Sequence, residues 1–238
     1  MAENFYTHVN FTGESSCVKF VPNRFRANMC VTCSKEISKH NRTSIESKEI
    51  LMRALEYTQS MDKLGSVIIP TDDTTERGGL YLGGYRASIN QEFLQNQHIT
   101  HILNVAAGLV NFFGPKYEKS VKKIVKELHI DYLTLSWDDD AEFEIPIDDV
   151  IHGMTFIHNA RTNGNVFVHC AQGKSRSSTI VVAYVMAFMN LSLEKALEFV
   201  QEGRKMAQPN PGFMKLLAGL NNDEKFISFS QNLADKHN

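Results

Sequence analysis

Residues 165–189 restrict the possible folds of this chain more than any other segment. The stretch Asn165–His169 is short, mostly apolar and preceded by Gly164, a residue typical of helix ends, so it predicts a buried strand. Ser177–Met189 is apolar on almost every side, which predicts a buried helix. Because only a short loop separates the two, a buried strand is predicted to lead almost directly into a buried helix.

A similar alternation of strands and helices extends to both sides of this segment. Three further strands are predicted at Leu80–Leu82, His101–Val105 and Tyr132–Leu135. The helices predicted between and after the strands are Glu92–Gln97, Tyr117–Leu128, Ile147–Arg161, Leu193–Lys205 and Phe213–Asn221. Strands that alternate with helices predict an α/β fold, with a central, mostly parallel sheet flanked by helices.

Length and charge exclude several classes of protein. The chain has 238 residues, enough for one substantial core and a small additional segment. Its net charge of −2 argues against the broad basic surface of a general nucleic-acid binder. The longest apolar stretch, Ile180–Met189, is too short for a membrane span, and the first residues lack the pattern of a secretory signal. We therefore expect a cytoplasmic protein, with the nucleus as a second compartment, that binds no nucleic acid.

The loop between the predicted strand and helix carries the residues of a phosphate site. Cys170 stands at the end of the strand, where the positive end of the helix dipole lowers a thiol pKa and favours the nucleophilic thiolate. Arg176 returns over the loop, and its planar guanidinium matches two phosphate oxygens. The residues predicted to bind phosphate are Ala171, Gln172, Gly173, Lys174, Ser175 and Arg176.

These groups suit hydrolysis through a covalent intermediate. Attack by the Cys170 thiolate forms a phospho-cysteine and splits one difficult hydrolysis into two steps. Ser177 is placed to donate a hydrogen bond to the sulfur and to help it leave in the second step. No cofactor is expected for catalysis, because the loop amides and Arg176 supply the electrostatic stabilisation.

The pattern His169-Cys170-x-x-Gly173-x-x-Arg176-Ser177 resembles the signature of the cysteine-based protein tyrosine phosphatase superfamily. The wider match is similar to its dual-specificity phosphatases and covers residues 66–220. The additional segments that carry this match are Leu80–Gly83, Ile99–Ala106, Ala183–Met186 and Pro209–Phe213. The resemblance implies hydrolysis of phosphotyrosine and of phosphoserine or phosphothreonine in proteins. The family usually has Ala at the position of Gln172, a departure that is expected to alter the pocket rim.

The acidic loop Trp137–Glu142 supplies candidates for the general acid that protonates the leaving group. In the family this acid lies six residues before an apolar residue that opens the next helix. Here the spacing from Ile145 selects Asp139. The spacing leaves Asp138 and Asp140 open as alternatives.

The amino-terminal segment presents a separate question. Four soft ligands, Cys17, Cys30, Cys33 and His40, have the spacing of a structural zinc site. A segment this short needs such a site to fold alone, and a closed four-ligand site points to docking of a protein partner. The alternative is an irregular arm in which the cysteines are incidental.

These interpretations divide the chain into four parts. We predict a zinc-binding segment at 1–42, a helical linker at 43–63, the phosphatase domain at 64–225 and a carboxyl-terminal tail at 226–238. Two other functions stay open. One is a catalytically silent adaptor that binds phosphorylated residues. The other is hydrolysis of a non-protein phosphate such as a phosphoinositide or an RNA 5′ phosphate, for which Lys174 is the support.

Overall fold

The computed structural model describes Cys30 and residues 63–72, 74, 77–109 and 114–235, with side chains to Leu233. The chain divides into two units, Met1–Met61 and Asp62–Asn238. All the helices and strands given below belong to the second unit. The predicted helical linker lies outside the described residues, as does most of the predicted zinc-binding segment.

A five-stranded mixed sheet forms the centre of the second unit. Its strands are β1 (Ser66–Ile69), β2 (Leu80–Gly84), β3 (Ile99–Asn104), β4 (Asp131–Thr134) and β5 (Asn165–Cys170). They lie in the order β1-β2-β5-β3-β4, and only β1 runs antiparallel to its neighbour. The predicted α/β fold with a mostly parallel sheet is confirmed, and β5, which ends at Cys170, is its central strand.

Eight α-helices are described around this sheet. The first four are α1 (Tyr85–Ser88), α2 (Gln91–Asn96), α3 (Pro115–Glu127) and α4 (Ile147–Asn163). The last four are α5 (Arg176–Met189), α6 (Leu193–Gly203), α7 (Pro211–Gly219) and α8 (Glu224–Asp235), with a short 3₁₀ turn at Leu220–Asn222 between α7 and α8. Within the described residues no single helix has the length and apolarity of a membrane span. Only α5 and α6 together meet those limits, as a pair bent by 117°.

The two faces of the sheet bury different residues of each strand. On β5, Phe167 faces a smaller apolar cluster that includes Phe93 of α2 and Ile124 of α3. Val166 and Val168 face the larger cluster, which contains most of α5. Alternation with a period of two is what a strand covered on both faces requires. It places the end of β5, and therefore Cys170, inside the core.

Helix α5 is buried along nearly its whole length. Every residue from Arg176 to Ala187 is buried, as its uniform apolarity predicts. Each fully buried aliphatic side chain of this kind contributes roughly 1.5–3 kcal/mol to folding. The helix that begins at the phosphate loop is therefore one of the most firmly held elements of the domain.

Three elements were not predicted from the sequence. β1 is a four-residue edge strand, and α1 is a single turn, so neither is long enough to show a clear period. The residues 226–235, assigned above to a tail, form most of α8. Phe226 and Leu233 of this helix are buried in the main core, so packing against the domain, not local sequence, stabilises it.

Candidate active site

Cys170 ends β5 and is 1% exposed. Its sulfur accepts hydrogen bonds from the Gly173 backbone amide at 3.3 Å and from Ser177 Oγ at 3.2 Å. Hydrogen bonds to a sulfur favour its charged form. The structure therefore brings together the predicted nucleophile and the serine predicted to assist its departure.

The electrostatic environment of the thiol favours the thiolate. Burial raises the pKa of Cys170, whereas the Arg176 charge and the hydrogen bonds from Ser177 lower it. The carboxylate of Asp139 raises it slightly, and the net result is a pKa below the ordinary value for a cysteine. A lowered thiol pKa is what a cysteine nucleophile needs near neutral pH.

The carbonyls of the loop after Cys170 form hydrogen bonds directed outward. The carbonyl of Ala171 accepts from the Tyr85 amide at 3.1 Å, and that of Lys174 accepts from the Gln208 amide at 2.7 Å. In a trans peptide the N–H points away from the C=O of the same peptide unit. Amides on the opposite side of these peptide units therefore point inward, toward the position of a bound phosphate.

Arg204 binds the carbonyls of the two residues between Ala171 and Lys174. It is 3% exposed, and its guanidinium donates to the carbonyls of Gly173 at 2.6 Å and Gln172 at 2.9 Å. It also donates to Ser66 Oγ of β1 at 3.2 Å. The sequence analysis missed this residue, because the loop carbonyls that it binds lie 31 and 32 positions away and no local pattern marks it.

Gly173 provides the backbone conformation that closes the loop. Its φ is +69°, a region that residues with side chains rarely adopt. A Cβ atom there would lie 2.4 Å from the backbone of Gly83 on the neighbouring strand. The loop can therefore approach β2 closely only with glycine at this position.

Arg176 is buried at the first position of α5 and is 8% exposed. Its Nη1 donates to the carbonyl of Trp137 at 3.1 Å, which ties it to the acidic loop. Its Nε lies 3.6 Å from Asp139 Oδ2 and has no hydrogen-bond partner within the described residues. A buried donor without a partner suits an arginine that binds a phosphate oxygen.

The three aspartates of the acidic loop have different surroundings. Asp139 Oδ1 accepts a hydrogen bond from Ser175 Oγ at 2.6 Å and another from Asn210 Nδ2 at 3.3 Å. Asp140 Oδ1 accepts from the Glu142 amide at 2.9 Å within its own turn. Asp138 is exposed. Of the three, Asp139 is the one that contacts the phosphate loop, through Ser175 and Arg176.

His169 lies one residue before the nucleophile and is fully buried. Burial lowers the pKa of this histidine to about 4. The hydrogen bond to the Cys170 carbonyl raises the pKa, and the nearby Arg176 charge lowers it. Its ring stacks on Phe167 with centroids 5.7 Å apart, and Nδ1 lies 3.2 Å from the Cys170 carbonyl. A neutral, stacked histidine of this kind orients the backbone at the nucleophile.

The predicted metal ligands are only partly described. Cys17, Cys33 and His40 lie outside the described residues, whereas Cys30 is buried. The zinc site therefore stays a prediction. A cleft of about 480 Å³ lies elsewhere, at the amino ends of β3 and β5 beside Thr100 and Asn165. It is at the opposite edge of the sheet from Cys170 and contributes nothing to the site.

Comparison with known proteins agrees with this geometry. Residues 80–223 match the family model described as "Dual specificity phosphatase, catalytic domain". Human protein phosphatase Slingshot homolog 3 is 35% identical over 186 residues, which are 73% of this chain and 26% of that protein. Dual specificity protein phosphatase 1 of Arabidopsis thaliana is 36% identical over 156 residues, 63% of this chain and 72% of that protein. This chain thus spans about a quarter of the Slingshot relative.

Solved structures extend the comparison to the fold. The crystal structure of DUSP15 is 28% identical and superposes with a TM-score of 0.56, covering 73% of this chain and 97% of that one. A human tyrosine phosphatase-like serine/threonine/tyrosine-interacting protein is 27% identical with a TM-score of 0.54, covering 68% of this chain and 97% of that one.

Proposed function

This chain belongs to the dual-specificity phosphatase family, and we propose that it hydrolyses phosphotyrosine and phosphoserine or phosphothreonine in proteins. One observation supports this above the others. The Cys170 thiol, with a lowered pKa, lies at the base of a loop whose carbonyls bond outward and whose amides therefore point inward. Such a loop binds a tetrahedral dianion, and the thiolate at its base attacks the phosphorus atom from one side.

In the first step the Cys170 thiolate attacks phosphorus, and a sulfur–phosphorus bond forms as the bond to the leaving oxygen breaks. The loop amides and Arg176 bind the three other phosphate oxygens, where negative charge is concentrated in the transition state. Asp139 donates a proton to the leaving oxygen, so that a neutral alcohol departs. The products of this step are the dephosphorylated side chain and a phospho-cysteine.

In the second step a water molecule attacks the phospho-cysteine. Asp139, now a carboxylate, accepts the proton from this water as the new phosphorus–oxygen bond forms. Cys170 leaves as a thiolate, and the Ser177 hydroxyl, 3.2 Å from the sulfur, stabilises the charge that develops there. Inorganic phosphate is released and the thiolate is restored.

A catalytically silent adaptor is the less favoured alternative. The fold alone does not separate the two functions, since one similar structure is named a tyrosine phosphatase-like serine/threonine/tyrosine-interacting protein. Catalysis is favoured here because Cys170, Arg176 and Asp139 are all present: Arg176 Nε lies 3.6 Å from Asp139 Oδ2, and the charges of both residues act on the Cys170 thiol.

The amino-terminal segment supports a separate proposal. Zinc bound by Cys17, Cys30, Cys33 and His40 would fold this segment into a module that docks a protein partner. Metal analysis of the purified full chain tests it: we expect one zinc per chain, lost when Cys17 and Cys33 are both changed to Ser. A chain purified without zinc, whose unfolding is unaffected by added zinc, would reject the module. The cytoplasmic or nuclear location likewise stays a prediction.

The phosphatase proposal is tested by hydrolysis of para-nitrophenyl phosphate in EDTA, followed by a panel of phosphotyrosine, phosphoserine and phosphothreonine peptides. We expect turnover by the full chain and none by Cys170→Ser, provided that both proteins melt at similar temperatures. A phosphoinositide and a 5′-phosphorylated RNA in the same panel address the non-protein substrates. A folded wild-type chain that binds phosphopeptides without turnover would favour the adaptor instead.

A further inference from the structure

Asp139 is held against the phosphate loop by two donors from distant parts of the chain. Ser175 Oγ donates to Asp139 Oδ1 at 2.6 Å, and Asn210 Nδ2 donates to the same oxygen at 3.3 Å. The partners are separated from Asp139 by 36 and 71 residues. The tertiary fold, not the local geometry of the acidic loop, therefore determines where this carboxylate lies.

The orientation of the Asn210 side chain is fixed by a second bond. Its Oδ1 accepts from the Phe213 amide at 3.0 Å and so caps the amino terminus of α7. With the amide oxygen committed to this cap, the NH₂ group must face the other way, toward Asp139. The helix cap thus guarantees that a donor, and not an acceptor, faces the carboxylate.

The Ser175 hydroxyl is oriented in a similar way. Its oxygen accepts from the Asn210 backbone amide at 3.3 Å, which leaves its hydrogen to be donated to Asp139. Ser175 is buried and immediately precedes α5, so it has little freedom to turn elsewhere. The three residues therefore form a closed set of contacts, in which Asn210 binds Ser175 through its backbone amide and Asp139 through its side chain.

Both donors bind Oδ1, which distinguishes the two carboxylate oxygens. Oδ2 instead lies 3.6 Å from Nε of Arg176, on the side where the phosphate binds. Resting on the proposed phosphatase function, we propose that Ser175 and Asn210 are positioning residues that hold Oδ1 of Asp139 and reserve Oδ2 for proton transfer. In the first step the Oδ2–H proton goes to the leaving oxygen as its bond to phosphorus breaks. In the second step Oδ2 takes a proton from the attacking water.

Asn210→Asp separates this role from the structural one. Aspartate caps a helix as well as asparagine does, so α7 keeps its acceptor. The donor to Asp139 is lost, however, and a second carboxylate is placed beside Oδ1. We expect an unchanged melting temperature together with a misplaced acid, whereas Asn210→Ala loses the cap as well and serves as the structural comparison.

The expected signature is a dependence on the leaving group. General acid catalysis contributes roughly 10²–10⁴-fold, and it matters most when the leaving oxygen is strongly basic. For Asn210→Asp we expect kcat/KM for a phosphoserine peptide to fall about 30-fold, which is less than the full contribution because the acid is misplaced but still present. For para-nitrophenyl phosphate, whose leaving group departs readily without a proton, we expect kcat/KM to fall only about threefold.

Ser175→Ala should show the same pattern, and Ser178→Ala is its matched control. Ser178 is likewise a buried serine, in the first turn of α5, but its hydroxyl has no hydrogen-bond partner within the described residues. We expect Ser178→Ala to keep both rates within about twofold of wild type, as is usual for changes that remove no interaction.

A double-mutant cycle with Asp139→Asn completes the test. If Asn210 acts through Asp139, then Asn210→Asp should cost less than about twofold when the carboxylate is already absent. An equal loss on both substrates, or full additivity with Asp139→Asn, would overturn the positioning role. If Asp139→Asn itself leaves both rates at the wild-type level, the acid assignment and this inference both fail. The thiol mechanism would still be judged separately, by Cys170→Ser.

Discussion

The two halves of the active site are held in different ways. The half that carries the nucleophile is built from backbone: the loop after Cys170 is fixed by outward carbonyl bonds, by the buried Arg204 and by close contact with β2. The half that carries the acid depends on side chains, since the 40%-exposed Asp139 is held through Ser175 and Asn210.

The difference matches the work that each half performs. Amides that stabilise developing charge act best when they are already oriented, because no energy is then spent on reorientation during the reaction. The acid must instead reach the leaving group in the first step and the attacking water in the second, which requires access to solvent. We therefore expect damage to the nucleophile half to affect folding and every substrate. Damage to the acid half should spare folding and depend on the leaving group.

The largest effect is expected for Gly173→Ala, which breaks the backbone half directly. The new Cβ would lie 2.4 Å from the Gly83 backbone, at a φ of +69°. We expect a loss of about 3 kcal/mol in the free energy of unfolding, and at least a hundredfold loss of kcat/KM on all substrates. Denaturant unfolding and hydrolysis of para-nitrophenyl phosphate measure the two effects.

Gly219→Ala is the matched control for that change. Gly219 ends α7, and a Cβ there meets nothing within 4 Å. Replacing such a glycine by alanine is expected to leave the free energy of unfolding unchanged or to raise it by up to about 1 kcal/mol. If Gly173→Ala behaved like this control, the loop would not be held by close packing against β2.

A smaller effect is expected for Arg204→Met, which keeps the apolar volume but removes the donors. The carbonyls of Gln172 and Gly173 would lose their buried partner. Because an unsatisfied buried acceptor costs about 1–3 kcal/mol, we expect a loss of about 2 kcal/mol in unfolding free energy. We also expect about a tenfold fall in kcat/KM, equal for aryl and alkyl phosphates. A fall confined to alkyl phosphates would instead place Arg204 with the acid half.

A third prediction uses the thiol pKa to compare the halves. Ser177 lowers the pKa of Cys170 and Asp139 raises it. Ser177→Ala is therefore expected to move the pH midpoint of iodoacetate inactivation upward, and Asp139→Asn to move it downward. Shifts in the same direction would contradict this assignment. Because the folded thiol has a lowered pKa, the stability it contributes is present above the unfolded pKa and is lost as the pH falls through the folded pKa.

The two halves of the active site also differ in how well the sequence predicted them. The nucleophile half is contiguous, so the strand, loop and helix around Cys170 were predicted with bounds within a residue or two of β5 and α5. Arg204 and the roles of Ser175 and Asn210 were missed, because each acts on partners more than 30 residues away. Helix α8 was also missed: Phe226, Phe229 and Leu233 have helical spacing, but only their packing in the core shows that this helix belongs to the domain. Selection of Asp139 among three adjacent aspartates came from family spacing alone.

The smallest effects are expected at the two neighbours of Asp139. Asp138 is exposed, and Asn in place of Asp140 keeps the acceptor for the Glu142 amide. Asp138→Asn and Asp140→Asn should therefore each change kcat/KM for a phosphoserine peptide by less than about twofold. Asp139→Asn should lower it by roughly a hundredfold, at the low end of what general acid catalysis contributes. Because all three variants remove one negative charge from the same loop, a loss confined to Asp139→Asn reports proton transfer and not loop charge. A comparable loss in Asp138→Asn or Asp140→Asn would mean that the hydrogen bonds to Asp139 do not mark the acid.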